Sequence, residues 1–260
     1  MATQVHHEVS TMGTVITLDL FDAAGVSTAA IDALEEAERL LRSADRTFST
    51  WDAASPMSRV RRGELDLADA PSVIAAVLET CRDLVVLTEG YFDPWSLPGG
   101  VDPTGYVKGW AAAEALAVLE ATGVAGAIVN AAGDVCCSGH PSGESAFRVG
   151  IVNPFAPGEL CAVVRCTAAI ATSGTYERGA HLHDPHLGQP KARVASASVT
   201  GPDLGMADAF ATALAVAGPP LLEVVAELAG YEAMCIGDDG ELSATPGFPF
   251  DGVVPRNPTA

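Results

Sequence analysis

An aspartate and a threonine stand one helical turn apart in an otherwise apolar stretch, Met206-Ala207-Asp208-Ala209-Phe210-Ala211-Thr212-Ala213-Leu214-Ala215-Val216-Ala217-Gly218. Residues four apart share a helix face, so a carboxylate and a hydroxyl point the same way from a segment composed for a core. Burying an unpaired polar group costs about 1–3 kcal/mol, and a charge costs more. On spacing alone two compensations are open. Hard oxygen ligands on a rigid helix suit Mg2+, which takes one or two carboxylates and completes its shell with water and phosphate oxygens. Alternatively, Asp208 is favoured near a helix start by the dipole, and Thr212 bonds back to a backbone carbonyl.

A second segment bears on that choice. Val101-Asp102-Pro103-Thr104-Gly105-Tyr106-Val107-Lys108-Gly109-Trp110 leads into 111–122, which reads as helix and stops at Gly123. Asp102 or Thr104 would cap the start, and Lys108 then lies in or near the first turn. A cation is disfavoured there by about 0.3 kcal/mol or more. Sharing the site with an anion removes that penalty, and helix N-termini bind phosphates; the alternative is a solvated surface lysine.

These residues belong to a longer pattern. Met12-Gly13-Thr14 precedes a strand; Phe48-Ser49-Thr50-Trp51 is followed by Ser58; then come Gly90-Tyr91-Phe92-Asp93-Pro94 and the segment from Asp102 to Gly109. Asn130-Ala131-Ala132-Gly133-Asp134, Val149-Gly150-Ile151-Val152-Asn153-Pro154 and Ala171-Thr172-Ser173-Gly174-Thr175-Tyr176-Glu177-Arg178 come next. His181-Leu182-His183-Asp184-Pro185, with Gly188 and Pro190, and Ala207-Asp208-Ala209 with Thr212 complete the series. In this order the motifs resemble the ApbE-type FAD:protein FMN transferases. Each is weak alone, and the nine together are a specific signal over most of the chain.

The resemblance implies attack by a Thr or Ser hydroxyl of an acceptor flavoprotein on a phosphorus of FAD, leaving FMN as a phosphoester and releasing AMP. It implies Mg2+, or Mn2+ in its place, on Asp208, Thr212 and a backbone carbonyl near Gly105. Met12, Tyr91, Phe92, Asp93, Asp102, Lys108 and Leu182 match positions that hold FAD, with Tyr91-Phe92-Asp93 on the adenine side, where an aromatic offers a stacking face. His181 is nominated as general base beside Asp208, because imidazole accepts a proton near neutral pH. His183 and His186 read more simply as bonding loop carbonyls, and Asp184 as orienting its loop through Asx-type bonding. Two alternatives stand beside the transferase: a metal-dependent FAD pyrophosphatase giving FMN and AMP, which uses the same metal and bound FAD but lets water attack, and a non-catalytic flavin-binding protein, which has no need of a helix-borne Asp/Thr pair.

The chain departs from the family's pattern mostly around the substrates. The stretch between Pro94 and Asp102 is short, Ala113 stands where relatives often carry an acid, Ala132 replaces a frequent glycine, and the Tyr176 to His181 gap is compressed.

Composition places these motifs in a compact enzyme. With 260 residues and 48% hydrophobic content, the chain suffices for one large core, and a single domain over 1–260 is expected. A net charge of -19 disfavours nucleic acid and anionic membranes, so a phosphate-bearing substrate needs local positive charge. No stretch approaches the roughly 18 apolar residues of a spanning helix, and residues 1–15 lack a signal peptide's pattern. No membrane insertion and a cytoplasmic location are therefore expected. Many members of the resembled family are exported lipoproteins, whose lipidated cysteine has no counterpart before Cys81. No C-x-x-C pair exists among the six cysteines, which argues against zinc; Cys161 and Cys166 read as buried thiols.

Periodicity predicts a strand at 15–20, helices at 29–43 and 71–88, the helix after Asp102, and extended pieces at 127–137, 147–153, 160–172 and 193–200. The Asp208 helix, a helix at 220–228 and a hairpin around Asp238-Asp239-Gly240 complete the reading. Gly123, Gly133, Gly139 and Gly150 fall at expected joints. Helices first and strands after indicate an α+β fold with a mostly antiparallel sheet, and no G-x-G-x-x-G opens a helix, which excludes a Rossmann fingerprint.

Overall fold

A computed structural model describes residues 3–139, 146–156, 158–175 and 182–251. The chain opens with strands β1 (Thr3–Thr11) and β2 (Thr14–Asp22). They are joined by Met12-Gly13, both at positive φ (51° and 69°), the conformation that matches a two-residue turn to the twist of its strands. Helix α1 (Thr28–Phe48) comes next, with the Ser27 hydroxyl accepting from the Ala30 N–H. It buries Ala30, Leu34, Ala37, Leu41, Ala44 and Phe48 at helical spacing. Short α2 (Pro56–Arg61) starts at a Ser55 cap, and α3 (Ser72–Leu87) and α4 (Thr104–Glu120) complete the helical half.

The second half is mainly strands: β3 (Gly126–Ala131), β4 (Asp134–Gly139), β5 (Phe147–Val152), β6 (Leu160–Cys166), β7 (Ala169–Gly174), β8 (His183–Asp184), β9 (Gln189–Pro190) and β10 (Ser196–Gly201). Helices α5 (Leu204–Ala217) and α6 (Leu221–Ala226), then β11 (Glu232–Ile236) and β12 (Leu242–Ala244), close the described chain.

Eight strands form one sheet in the order β1-β2-β3-β4-β7-β10-β11-β12, antiparallel at every pairing, so the fold is α+β as expected. Successive side chains along a strand leave on opposite faces, and the core divides accordingly. On one face Val9, Leu18, Val129, Cys136, Ala171 and Val199 join residues of α1, α3, α4 and α5. On the other, Cys137, Ile170, Met234 and Ile236 join Phe147, Ile151 and Val164 of the β5–β6 hairpin, and Phe248. The result is three layers, helices on sheet on hairpin. All six cysteines are buried and free, Cys161 and Cys166 included, and no described helix is long and apolar enough to cross a membrane.

Several expected boundaries move. The 127–137 piece is two strands, because Ala132 and Gly133 take positive φ (56° and 99°) and reverse the chain. Alanine in that region is strained by roughly 1–2 kcal/mol, and it stands where the family's frequent glycine would be relaxed. The 160–172 piece likewise divides at 167–168 into β6 and β7, a turn at Thr167-Ala168 that no Gly, Pro, Asn or Asp marks. Gly150 is no joint: it lies within β5, where an added Cβ would come 2.7 Å from Leu160 Cδ1. Strands β1, β8 and β9 and helix α2 are additions to the predicted elements.

One contact in the helical layer sets where Lys108 and Asp208 meet. Where α4 and α5 cross, a Cβ on Gly109 would lie 2.5 Å from the Leu204 carbonyl oxygen and 2.9 Å from Gly205 Cα, while one on Gly205 would lie 3.1 Å from the Trp110 nitrogen. Backbone meets backbone there, which only glycine permits. Gly109→Ala is therefore expected to lower stability by about 1–3 kcal/mol, the usual range for overpacking. Denaturant titration reads this as an earlier midpoint; a variant as stable as the parent would contradict the crossing.

Candidate functional site

Helix α5 begins at Asp203, whose carboxylate accepts from the Met206 N–H at 2.7 Å. Its residues are buried on nearly every side, Asp208 among them, with 7% of that side chain exposed. A carboxylate so placed needs compensation. It receives the Lys108 ammonium, 3.0 Å from Oδ2, and the backbone N–H of Gly109, presented by the close crossing. The compensation is incomplete. Among the described residues Oδ2 has the Lys108 ammonium as its one partner and no second donor, and burial pushes the Asp208 pKa up against the opposing pull of Lys108 and Gly109.

A second carboxylate shares the ammonium. Asp134, 4% exposed at the start of β4, contacts Lys108 Nζ through Oδ2, and its Oδ1 accepts from the Thr172 N–H at 2.9 Å. Lys108, the fifth residue of α4, thus lies between two buried anions. They relieve its unfavourable position near the helix N-terminus, and with a quarter of its side chain exposed (24%) it is no freely solvated lysine. One turn beyond Asp208, the Thr212 hydroxyl lies 3.2 Å from Ser173 Oγ, a partner on β7 rather than on its own helix. Asp134 and Ser173 both fall within the motif series, yet the sequence marks neither as a partner of the helix pair.

The other expected ligand positions surround this cluster in different ways. Gly105 lies in the first turn of α4, and the Phe92 ring rests on it, 3.2 Å from where a Cβ would stand. That ring is 5% exposed and its backbone N–H is held by the Thr88 hydroxyl, so Phe92 packs the core and the more accessible aromatic of the pair is Tyr91. The Tyr91 ring meets the His186 ring edge-on at 4.5 Å, and His186 Nε2 lies 3.2 Å from the Glu89 carbonyl. Asp93 accepts from the Trp95 N–H within its own loop. Asp102 accepts from the Thr104 N–H and hydroxyl at the start of α4, and its other oxygen lies 3.6 Å from Arg61.

Met12 sits in the β1–β2 turn, its N–H donated to Asp45. Leu182 is buried in the main core, which leaves backbone atoms rather than the side chain to meet a ligand. Asp184 is fully buried and accepts from the His186 and Leu187 N–H groups. His181 lies outside the described residues.

The donor set suits a hard cation. Among the described residues no group of three or more His, Cys, Asp or Glu side chains is arranged for a metal, which disfavours transition-metal chemistry at side-chain nitrogen or sulfur. A buried carboxylate oxygen with a single described partner, beside a hydroxyl one turn away, fits an ion that relies on one carboxylate, neutral oxygens, water and phosphate.

The ammonium and its two carboxylates form one coupled unit. Lys108→Met and Asp134→Asn are therefore expected to be non-additive, with about 0.5–3 kcal/mol of coupling in a double-mutant unfolding cycle. Additive effects would mean the two side chains are not paired in solution.

Comparison with known proteins bears on the family and the fold. The ApbE family model matches residues 12–99 and 98–235. A FAD:protein FMN transferase from Rhodobacter capsulatus is 38% identical over 156 residues, covering 56% of this chain and 30% of that protein. The chain thus spans under a third of that relative's length. The fold is similar to the flavin transferase ApbE from Vibrio cholerae, with a TM-score of 0.82 and 22% identity over 95% of this chain and 99% of the other. It is also similar to the ApbE protein from Thermotoga maritima, with a TM-score of 0.79 and 20% identity over 94% and 97%.

Proposed function

The chain belongs to the ApbE family, and on that premise we propose that it is a FAD:protein FMN transferase. It moves FMN from FAD to a Thr or Ser hydroxyl of an acceptor flavoprotein and releases AMP, with Mg2+ or Mn2+ held by Asp208, Thr212 and the Gly105 carbonyl. The observation that carries the reading is the buried Asp208 Oδ2, one turn from Thr212, whose one partner among the described residues is the partly exposed Lys108 ammonium at 3.0 Å. A flavin carrier without catalysis has no use for so costly an arrangement.

Each group has a part in the chemistry. The bound ion would neutralise charge on the diphosphate oxygens. Lys108 adds a second positive charge at the same place, needed in a protein of net charge -19. The start of α4 positions the diphosphate, with Asp102 and Tyr91 holding the nucleoside side and Met12, Phe92, Asp93 and Leu182 shaping the walls. His181 takes the proton from the attacking hydroxyl. Because that hydroxyl arrives on another protein, the base must be reachable from outside.

The test is to mix the full chain with FAD, Mg2+ and an acceptor domain, then weigh the acceptor. The expected result is an acceptor heavier by FMN, with AMP released in equal amount. Asp208→Ala is expected to abolish the transfer while keeping the far-UV spectrum of the parent. Free FMN and AMP with no mass added to any acceptor would move the reading to FAD hydrolysis, and full transfer by Asp208→Ala would remove the metal from Asp208.

A further inference from the structure

Resting on that reading of the site, we propose that Lys108 is a built-in counter-ion that makes binding of the divalent ion and of FAD mutually dependent. The ion gains Asp208 only as the diphosphate of FAD draws the ammonium away.

Two buried carboxylates and one ammonium leave the cluster with a single net negative charge. A divalent ion added on Asp208 alone reverses that to a net positive charge, with the ammonium beside the same oxygen that the ion needs. Like charges so close, in a region shielded from water, repel far more strongly than at the surface. Lys108 has no inexpensive retreat either. Asp134 is 4% exposed, and its only other described partner is the Thr172 N–H, so withdrawal of the ammonium strands a buried anion.

FAD resolves the conflict. Its doubly charged diphosphate returns the cluster to a net negative charge when both ligands are present, and offers the ammonium a new partner. The lysine stem is flexible, and with 24% of the side chain exposed it has room to swing toward a ligand at the mouth of the site. FAD alone, in turn, meets a strongly acidic protein and gains from the ion. By linkage each ligand strengthens the other by the same factor. The assignment differs from a simple phosphate-binding lysine in one respect: removing Lys108 should improve binding of the metal by itself.

Mn2+ is the probe, titrated into the full chain while the signal of free Mn2+ is followed by electron paramagnetic resonance, with and without FAD. Mn2+ added to FAD alone supplies the baseline, and chromatography verifies that FAD stays intact. FAD is expected to tighten Mn2+ binding to the parent protein by about tenfold or more, within the usual span of site-to-site coupling. Lys108→Met, and Lys108→Gln as a second variant, are expected to bind Mn2+ without FAD about tenfold more tightly than the parent, with the effect of FAD reduced to the direct attraction between ion and diphosphate. Equal Mn2+ affinity of the parent with and without FAD would overturn the inference, and that comparison needs no variant to fold. Variants that bind Mn2+ no more tightly than the parent would also overturn it. Failure of the functional reading looks different: Asp208→Asn binding Mn2+ as the parent does, or no protein binding it under any condition, would remove the metal from this site and the role of Lys108 with it.

Discussion

One ammonium held between two buried carboxylates is the constraint on which the rest of the site depends. Neither Asp134 nor Asp208 is tolerable where it lies without a counter-charge, and Lys108 supplies it to both. Three remote pieces of chain must therefore converge. The glycine crossing of α4 and α5 brings Lys108 and the Gly109 N–H to Asp208. The turn at Ala132-Gly133 starts β4 so that Asp134 faces the same place, steadied by the Thr172 N–H on β7. Pairing of β4 with β7 and of β7 with β10 sets the floor beneath them.

The balance of charge and hydrogen bonds is left unfinished. Among the described residues Asp208 Oδ2 has no donor besides Lys108, and burial holds its pKa above the usual carboxylate range despite that ammonium. A purely structural ion pair is normally completed by further hydrogen bonds. On the proposed reading, that thinly partnered acceptor is kept for a hard cation beside a phosphate. On the same reading, an acidic protein gives no general attraction for FAD, and recognition falls to the few groups at the start of α4.

Legibility in the sequence depends on how local each feature is. Helices α1 and α3 announce themselves by period, α4 by its start at Asp102 to Thr104 and its stop at Gly123, and the hairpin between β11 and β12 by its Asp238-Asp239-Gly240 turn. The Asp208 and Thr212 pair is visible because four-residue spacing carries a helix face with it. The partnership of Lys108 with Asp134 is invisible, because it is made across the sheet and helix layers between residues with no shared periodicity. The joint at Gly133 is legible, whereas the split at 167–168 escapes notice because Thr167-Ala168 carries no Gly, Pro, Asn or Asp to mark a turn, and Ala132 takes a backbone conformation its type does not advertise. Phe92 and Leu182 match the positions of ligand residues, yet burial commits both side chains to the core, a distinction only the fold makes.

Anomalous scattering from crystals grown with FAD and Mn2+ tests the central claim most directly. The expected result is a manganese peak between Asp208 Oδ2 and the Thr212 hydroxyl, with Lys108 moved from Asp208 onto a phosphate oxygen of FAD. A peak elsewhere, or FAD bound while Lys108 keeps Asp208 and no manganese lies beside it, would contradict that claim.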